Sequence, residues 1–272
     1  MIQLRFIGFF KTLILGFFVW VRFIPIRYKV KEELILILTP GKVGSSTIYK
    51  SVKHSVNTRV YHIHSINNEE IINSMKIHFF SPKGSVPRHL FTSYFLSKIL
   101  RNYKGKVKLI ILVREPVSRL ISSVYQNLDM FGISPKYIDV EEVNEIILSK
   151  LNSDYFDYLD RWFNKEIKET FGIDVFADPE KSHFESNITG FCMKMEDIDD
   201  EFEINCRTIL GINAIVRKEN IAKDKPYNKE YIQSKRAIKN RINSLPLEGH
   251  YARRFYGKNA FSFISFGKAK PL

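Results

Sequence analysis

The stretch from residue 34 to residue 47, Leu-Ile-Leu-Ile-Leu-Thr-Pro-Gly-Lys-Val-Gly-Ser-Ser-Thr, leaves the chain few choices of fold. Its five aliphatic residues, Leu34 to Leu38, lie between Lys31-Glu32-Glu33 and Pro40-Gly41. That length and composition predict a strand covered on both faces, as in a parallel sheet. Ser45, Ser46 and Thr47 then predict an N-cap and a helix to about Lys53, whose dipole and unsatisfied N–H groups attract an anion. Between strand and helix, Gly41, Lys42 and Gly44 make a phosphate-binding loop, the competing reading being a glycine turn with a solvated lysine. An ordinary P-loop has four residues between its first glycine and a Gly-Lys-Ser/Thr triplet; here Lys42 precedes Gly44, so the phosphate chemistry differs.

At 272 residues and 44% hydrophobic, the chain suits one α/β domain with helical additions. The expected division is an apolar basic segment over 1–31, a domain over 32–257 and a tail over 258–272. The formal charge of +13 fits nucleic acid, an anionic membrane or a multiply charged nucleotide and acidic glycan. Arg5, Lys11, Arg22, Arg27, Lys29 and Lys31 precede Glu32 with no acidic residue among them, which favours a membrane surface over nucleic acid. Within the apolar run 6–26, Lys11 and Arg22 leave an uncharged stretch of only Thr12 to Val21, about half of what a spanning helix needs. Eleven residues apart, these two cations point the same way from a helix, so residues 1–26 are expected to lie in an interface, ahead of spanning it or packing as a core helix. No small-x-small cleavage site follows. Cys192 and Cys206 lack metal-ligand or disulfide-framework spacing, so two buried thiols and no metal are expected, a single bridge between them remaining the alternative.

Residues 58–65 alternate as a second strand, with His62 and His64 on one face and His64 nearer the carboxyl end, where α/β sheets bind ligands. Histidine has the unperturbed pKa of a general base. Residues 71–80 predict a helix and a short strand, and 87–103 an amphipathic helix with Arg88 in its first turn. The run 107–125 repeats the opening pattern: a buried strand, Arg114-Glu115-Pro116, then a helix carrying Ser122. The arginine offers a charged fork, and a serine about two turns inward turns a hydroxyl toward the same anion. Otherwise Glu115 caps the arginine and Ser122 packs. Further on, 154–171 reads as a helix stopped by Gly172, 173–176 as extended, 187–195 as a strand, and 227–243 as a basic helix. Lys165 and Arg161 are possible acceptor-facing cations.

Two of these motifs together are specific. Gly41-Lys42-Val43-Gly44-Ser45-Ser46-Thr47 resembles the 5′-phosphosulfate loop of sulfotransferases that use 3′-phosphoadenosine 5′-phosphosulfate (PAPS), and Arg114, Pro116 and Ser122 resemble their 3′-phosphate motif. Tyr61-His62-Ile63-His64 is similar to strings in glycan 2-O-sulfotransferases. Trp162 to Lys168 with Phe171 to Val175 resembles the sulfotransferase-like family of bacterial capsular-polysaccharide synthesis proteins. Met195-Glu196-Asp197-Ile198 and Asn220 through Tyr227 match that superfamily loosely.

The resemblance implies a P-loop-like three-layer α/β sandwich with a central parallel sheet and PAPS as co-substrate without a metal. The acceptor implied is a hydroxyl of a capsular or cell-surface glycan, or of its lipid-linked precursor, at the cytoplasmic face of a membrane, the protein being peripheral or single-pass. In that scheme Gly41, Lys42, Gly44, Ser45, Ser46 and Thr47 hold the 5′-phosphate, and Arg114 and Ser122 the 3′-phosphate. Lys42 stabilises the leaving oxygen, and His64, with His62 as alternative, takes the acceptor proton. The rivals are a nucleotide-dependent kinase and a non-catalytic membrane-associated polysaccharide-assembly protein.

Overall fold

A computed structural model describes residues 2–28, 33–81, 84–153, 155–176, 183–185, 188–217 and 225–242. Helix α1 (Ile2–Tyr28) precedes strand β1 (Leu34–Leu38), helix α2 (Ser45–Ser55), strand β2 (Arg59–Ile63) and helices α3 (Asn68–Phe80) and α4 (Arg88–Leu100). Strand β3 (Val107–Val113) leads into α5 (Pro116–Gln126) and α6 (Val140–Leu151). Helix α7 (Tyr155–Phe163) continues through a π-helical turn, Asn164–Lys168, into α8 (Glu169–Phe171). The chain then forms β4 (His183–Glu185), β5 (Ile188–Lys194), α9 (Ile198–Thr208) and α10 (Asn228–Ile242).

The sheet order is β2-β1-β3-β5-β4, with β2, β1, β3 and β5 parallel and β4 antiparallel at the edge. All five residues of β1 are buried because both faces are covered. Leu34, Leu36 and Leu38 join a core with Phe23 of α1, Leu96 of α4, Val117 of α5, Ile147 of α6 and Leu159 of α7. Ile35 and Ile37 face the other way, against Ile48 and Val52 of α2 and Phe202 of α9. Alternate side chains of one strand thus feed two cores, and helices cover both sides of the sheet. Cys192 lies in the first core and Cys206 in the second, so the sheet separates the two thiols and no bridge joins them.

The parallel sheet, the strands at 34–38 and 59–63 and the basic helix match the expectations from the sequence. Other elements differ. Residues 71–80 hold no strand: they belong to one helix, started by the Asn67 side chain, which accepts the Glu69 and Glu70 N–H groups. Residues 173–176 are irregular and end in a turn, where Asp174 Oδ1 accepts the Phe176 N–H at 3.0 Å. The cap of α2 is Gly44, in the left-handed region, rather than a hydroxyl residue; Ser45, Ser46 and Thr47 form the first turn. The expectations for 243–272, Asn220 and Asn187 lie outside the described residues.

Helix α1 packs in part as a core helix, the last-ranked of the three expectations for it. Val19 and Phe23 are buried against the domain, whereas Phe17 and Phe18 are more than half exposed. Among the described residues, no helix is long and apolar enough to cross a membrane.

Candidate active site

The chain leaves β1 for β2 on one side and later returns to place β3 on the other. Such a reversal opens a crevice beyond the carboxyl ends of the strands. Thr39 follows β1, His64 follows β2, Arg114 follows β3 and Met195 follows β5, so four strand ends supply the rim.

The loop after β1 turns through three left-handed residues, Gly41 (φ 75), Lys42 (φ 61) and, after Val43, Gly44 (φ 71). Gly44 is required twice: its φ disfavours a side chain, and an added Cβ would lie 2.3 Å from Met195 Sδ. Lys42 is the one non-glycine residue with positive φ among the described residues, a conformation that costs about 1–2 kcal/mol and is held by its surroundings. Gly44 begins α2, where the Thr47 N–H donates to the Gly44 carbonyl at 3.0 Å, and the positive end of the helix dipole at this terminus favours an anion.

Arg119 holds this loop, a role with no sign in the local sequence, since an arginine in a helix ordinarily reads as solvated. It is 6% exposed. Its Nε donates to the Gly41 carbonyl at 2.9 Å, Nη2 donates to the Pro40 carbonyl, and Nη1 donates to Tyr155 Oη at 3.0 Å. Tyr155 in turn donates to the Pro116 carbonyl at 2.9 Å, tying loop, α5 and α7 together.

Ser122 and Gln126 follow Arg119 at three and seven residues and share its stripe of α5. Lys42 Nζ donates to Gln126 Oε1 at 2.5 Å. Ser122 therefore sits between two residues that grip the loop. Burial, and then the Arg119 charge, lower the Lys42 pKa.

Arg114 completes the convergence expected from the sequence. Its Nη1 donates to the Lys42 carbonyl at 3.1 Å, and its Nη2 lies 3.4 Å from Tyr231 Oη of α10. Lys235, one turn beyond Tyr231, has its pKa lowered by burial and then by the Arg114 charge, with Glu115 and Glu196 opposing. Tyr231 and Lys235 lie on the basic helix that the sequence offered as a border of the nucleotide, but neither side chain could be singled out, because more than a hundred residues separate them from Arg114. Glu115 does not cap the arginine: its carboxylate accepts the Val117 and Ser118 N–H groups at 2.9 and 2.6 Å and starts α5.

The two strand-end histidines have distinct settings. His62 Nε2 and Ser45 Oγ are hydrogen-bonded at 2.7 Å, and Tyr49 stacks on the ring. Burial, with help from His64 and His89, pushes the His62 pKa down to about 4, so it is neutral. His64 Nδ1 is 3.0 Å from the Thr39 carbonyl, which can only accept, and 3.2 Å from the Thr39 hydroxyl, which can donate or accept. A proton on Nδ1 satisfies the nearer carbonyl and leaves Nε2 its lone pair. Burial lowers the His64 pKa; the Thr39 bond opposes this, and the charges of Lys42 and Arg119 add to it. His64 thus has the tautomer and protonation state of a base, and the rings of His62 and His89 lie 4.8 and 6.2 Å from it.

The segment after His64 is held by α7 and its π-helical turn. Trp162 Nε1 donates to the His64 carbonyl at 2.9 Å. The buried Glu166 carboxylate accepts from Ser65 Oγ and the N–H groups of Ile66 and Asn67 at 2.5–2.6 Å. Burial raises the Glu166 pKa to about 7, against those donors. The cations expected here contribute differently: Lys165 pairs with Glu169 at the surface and Arg161 is exposed. Arg88 is also exposed. A cavity of about 1030 Å³ opens elsewhere, bordered by Asn68, Arg101, Val107 and Ile188, by the amino ends of β3 and β5 and away from the loop. Among the described residues no group of three or more His, Cys, Asp or Glu side chains could hold a metal.

No protein-family model matches the chain, and neither curated proteins nor solved structures gave a significant match.

Proposed function

We propose that the protein is a sulfotransferase that moves a sulfuryl group from PAPS to a hydroxyl of a capsular or cell-surface glycan or its precursor, on a P-loop-like fold. The observation that carries this reading is the bond from Arg114 to the Lys42 carbonyl, with neutral His64 on the loop's other side. Two phosphate-type motifs meet at one crevice beside a base. A nucleotide phosphorylated at both ends suits the donor set: the loop and the α2 first turn for the 5′-phosphate, and Arg114, Ser122, Tyr231 and Lys235 for the 3′-phosphate.

In this mechanism the acceptor oxygen bonds to sulfur as its proton passes to His64 Nε2. The bond from sulfur to the phosphate oxygen breaks, and its electron pair stays on the adenosine bisphosphate. Lys42 Nζ leaves Gln126 to neutralise that oxygen, and Arg119 keeps the loop in place. Preorganised charge of this kind contributes about 10²–10³ in rate.

Lys42 therefore trades backbone strain for charge. Lys42→Ala and Lys42→Gly should both lose turnover by about 10²–10³. Lys42→Gly should nevertheless be the more stable of the two by roughly 1 kcal/mol, because glycine tolerates positive φ. Thermal unfolding alongside single-turnover rates checks this; equal stability of the two variants would remove the strain argument.

The reading is tested by calorimetric titration with 3′-phosphoadenosine 5′-phosphate and with adenosine 5′-phosphate. Arg114→Ala should weaken the bisphosphate by about 10–100-fold, as expected for a charged hydrogen bond of about 1.5–3 kcal/mol, and the monophosphate less, through the lost bond to the Lys42 carbonyl alone. Equal loss for both ligands, or no loss, would refute the assignment of Arg114.

A further inference from the structure

Helix α1 has two apolar faces, and the domain uses only one. At about 100° per residue, Thr12, Val19 and Phe23 fall on one arc, and all three are buried. Thr12 Oγ1 accepts the Val86 N–H at 3.1 Å. A Cβ on Gly16 would lie 3.0 Å from the Phe91 ring, so the helix sits close against α4, and Phe23 stacks on Tyr61 at 5.5 Å. On the opposite arc, Leu13, Ile14, Phe17, Phe18, Trp20 and Val21 are 41–63% exposed. Single exposed apolar residues are ordinary, but six within nine positions of one helix form a contiguous patch, which marks an interaction surface.

Charge decides what covers it. Lys11 and Arg22 are exposed, and their spacing brings both to the same flank of that patch. The first 31 residues contain six basic and no acidic side chains, in a chain of net charge +13. A second copy would bring like charges together, whereas anionic head groups neutralise them. A helix with an apolar arc edged by cations lies along a bilayer surface, and one docked on α4 is not arranged to cross it.

The docking point is close to the site. Val86, which bonds Thr12, lies three residues before His89, whose ring is 6.2 Å from His64. We propose that the outer face of α1 rests on an anionic bilayer and holds the histidine side of the crevice at that surface, so that the acceptor is a membrane-borne, lipid-linked glycan. The location of the patch stands alone; the acceptor class rests on the proposed function.

The test is co-sedimentation of the full chain with phosphatidylcholine vesicles, with and without phosphatidylglycerol, at low and high salt. Binding should favour the anionic vesicles and fall with salt. Phe17→Ser/Phe18→Ser should lower partitioning more than about tenfold with an unchanged unfolding temperature. Lys11→Gln/Arg22→Gln should reduce the anionic preference by roughly fivefold per cation. Unchanged partitioning of both double variants would overturn the proposal. So would absence of vesicle binding together with a dimer that Phe17→Ser/Phe18→Ser abolishes. Both double variants should keep wild-type affinity for 3′-phosphoadenosine 5′-phosphate. Vesicle binding by a wild type that ignores this nucleotide would leave the patch standing and remove the acceptor assignment with the proposed function.

Discussion

His64→Ala is expected to lower kcat by about 10²–10⁴-fold, the usual contribution of a positioned general base, while binding of 3′-phosphoadenosine 5′-phosphate is retained. A proton on Nδ1 suits the bond to the Thr39 carbonyl, and burial, with the Lys42 and Arg119 charges, keeps the ring neutral. His62→Ala should cost less in turnover, because His62 Nε2 is occupied with Ser45. The pH profile carries a sign. A base works when unprotonated, so activity is present above its folded pKa and is lost as pH falls through it. Burial places the His64 value below its ordinary 6.5, so the acid limb of kcat/KM should fall below pH 6.5. An acid limb above 6.5, or normal turnover in His64→Ala, would contradict the assignment.

Arg119→Met is expected to disable the site and destabilise the fold together. Three hydrogen bonds from a nearly buried guanidinium disappear, leaving the Pro40 and Gly41 carbonyls without their donor. Bonds to charged groups contribute about 1.5–3 kcal/mol each and do not add fully, so a loss of roughly 3–5 kcal/mol is expected. For a chain of this size that is a fall in Tm of roughly 6–20 °C. Arg119→Lys should recover little, since one ammonium cannot reach three acceptors in a fixed fork. A fall of less than about 2 °C with unchanged nucleotide affinity would show that the loop holds itself.

These two residues mark the boundary of what was legible in the sequence. His64, Lys42 and Arg114 follow runs of β-branched or aliphatic residues, and a strand end in a parallel sheet is where chemistry collects, so local pattern was enough to place them. Ser122 followed from helical spacing after Arg114. Arg119 lies on the same helix but is buried, and its partners come from residues 78 or more positions away in one direction and 36 in the other. Glu166 is a charge in an amphipathic helix, which reads as solvated until the π-helical turn brings it against the N–H groups of Ile66 and Asn67. Lys235 and Tyr231 reach Arg114 only because α10 packs on α5 through Tyr125, which donates to the Glu230 carbonyl at 2.9 Å. The short strand expected within residues 71–80 failed for a local reason: the Asn67 cap starts a helix that runs through the Ile77-His78-Phe79-Phe80 segment. Tertiary contact, rather than propensity, supplied every residue that was missed.

The most direct measurement is calorimetric titration of the wild-type protein with 3′-phosphoadenosine 5′-phosphate, adenosine 5′-phosphate and Mg-ATP. Two cationic subsites joined at the Arg114–Lys42 contact predict that the bisphosphate binds tightest, and about 10–100-fold above the monophosphate. Preference for Mg-ATP, or no discrimination between bisphosphate and monophosphate, would contradict the sulfotransferase reading.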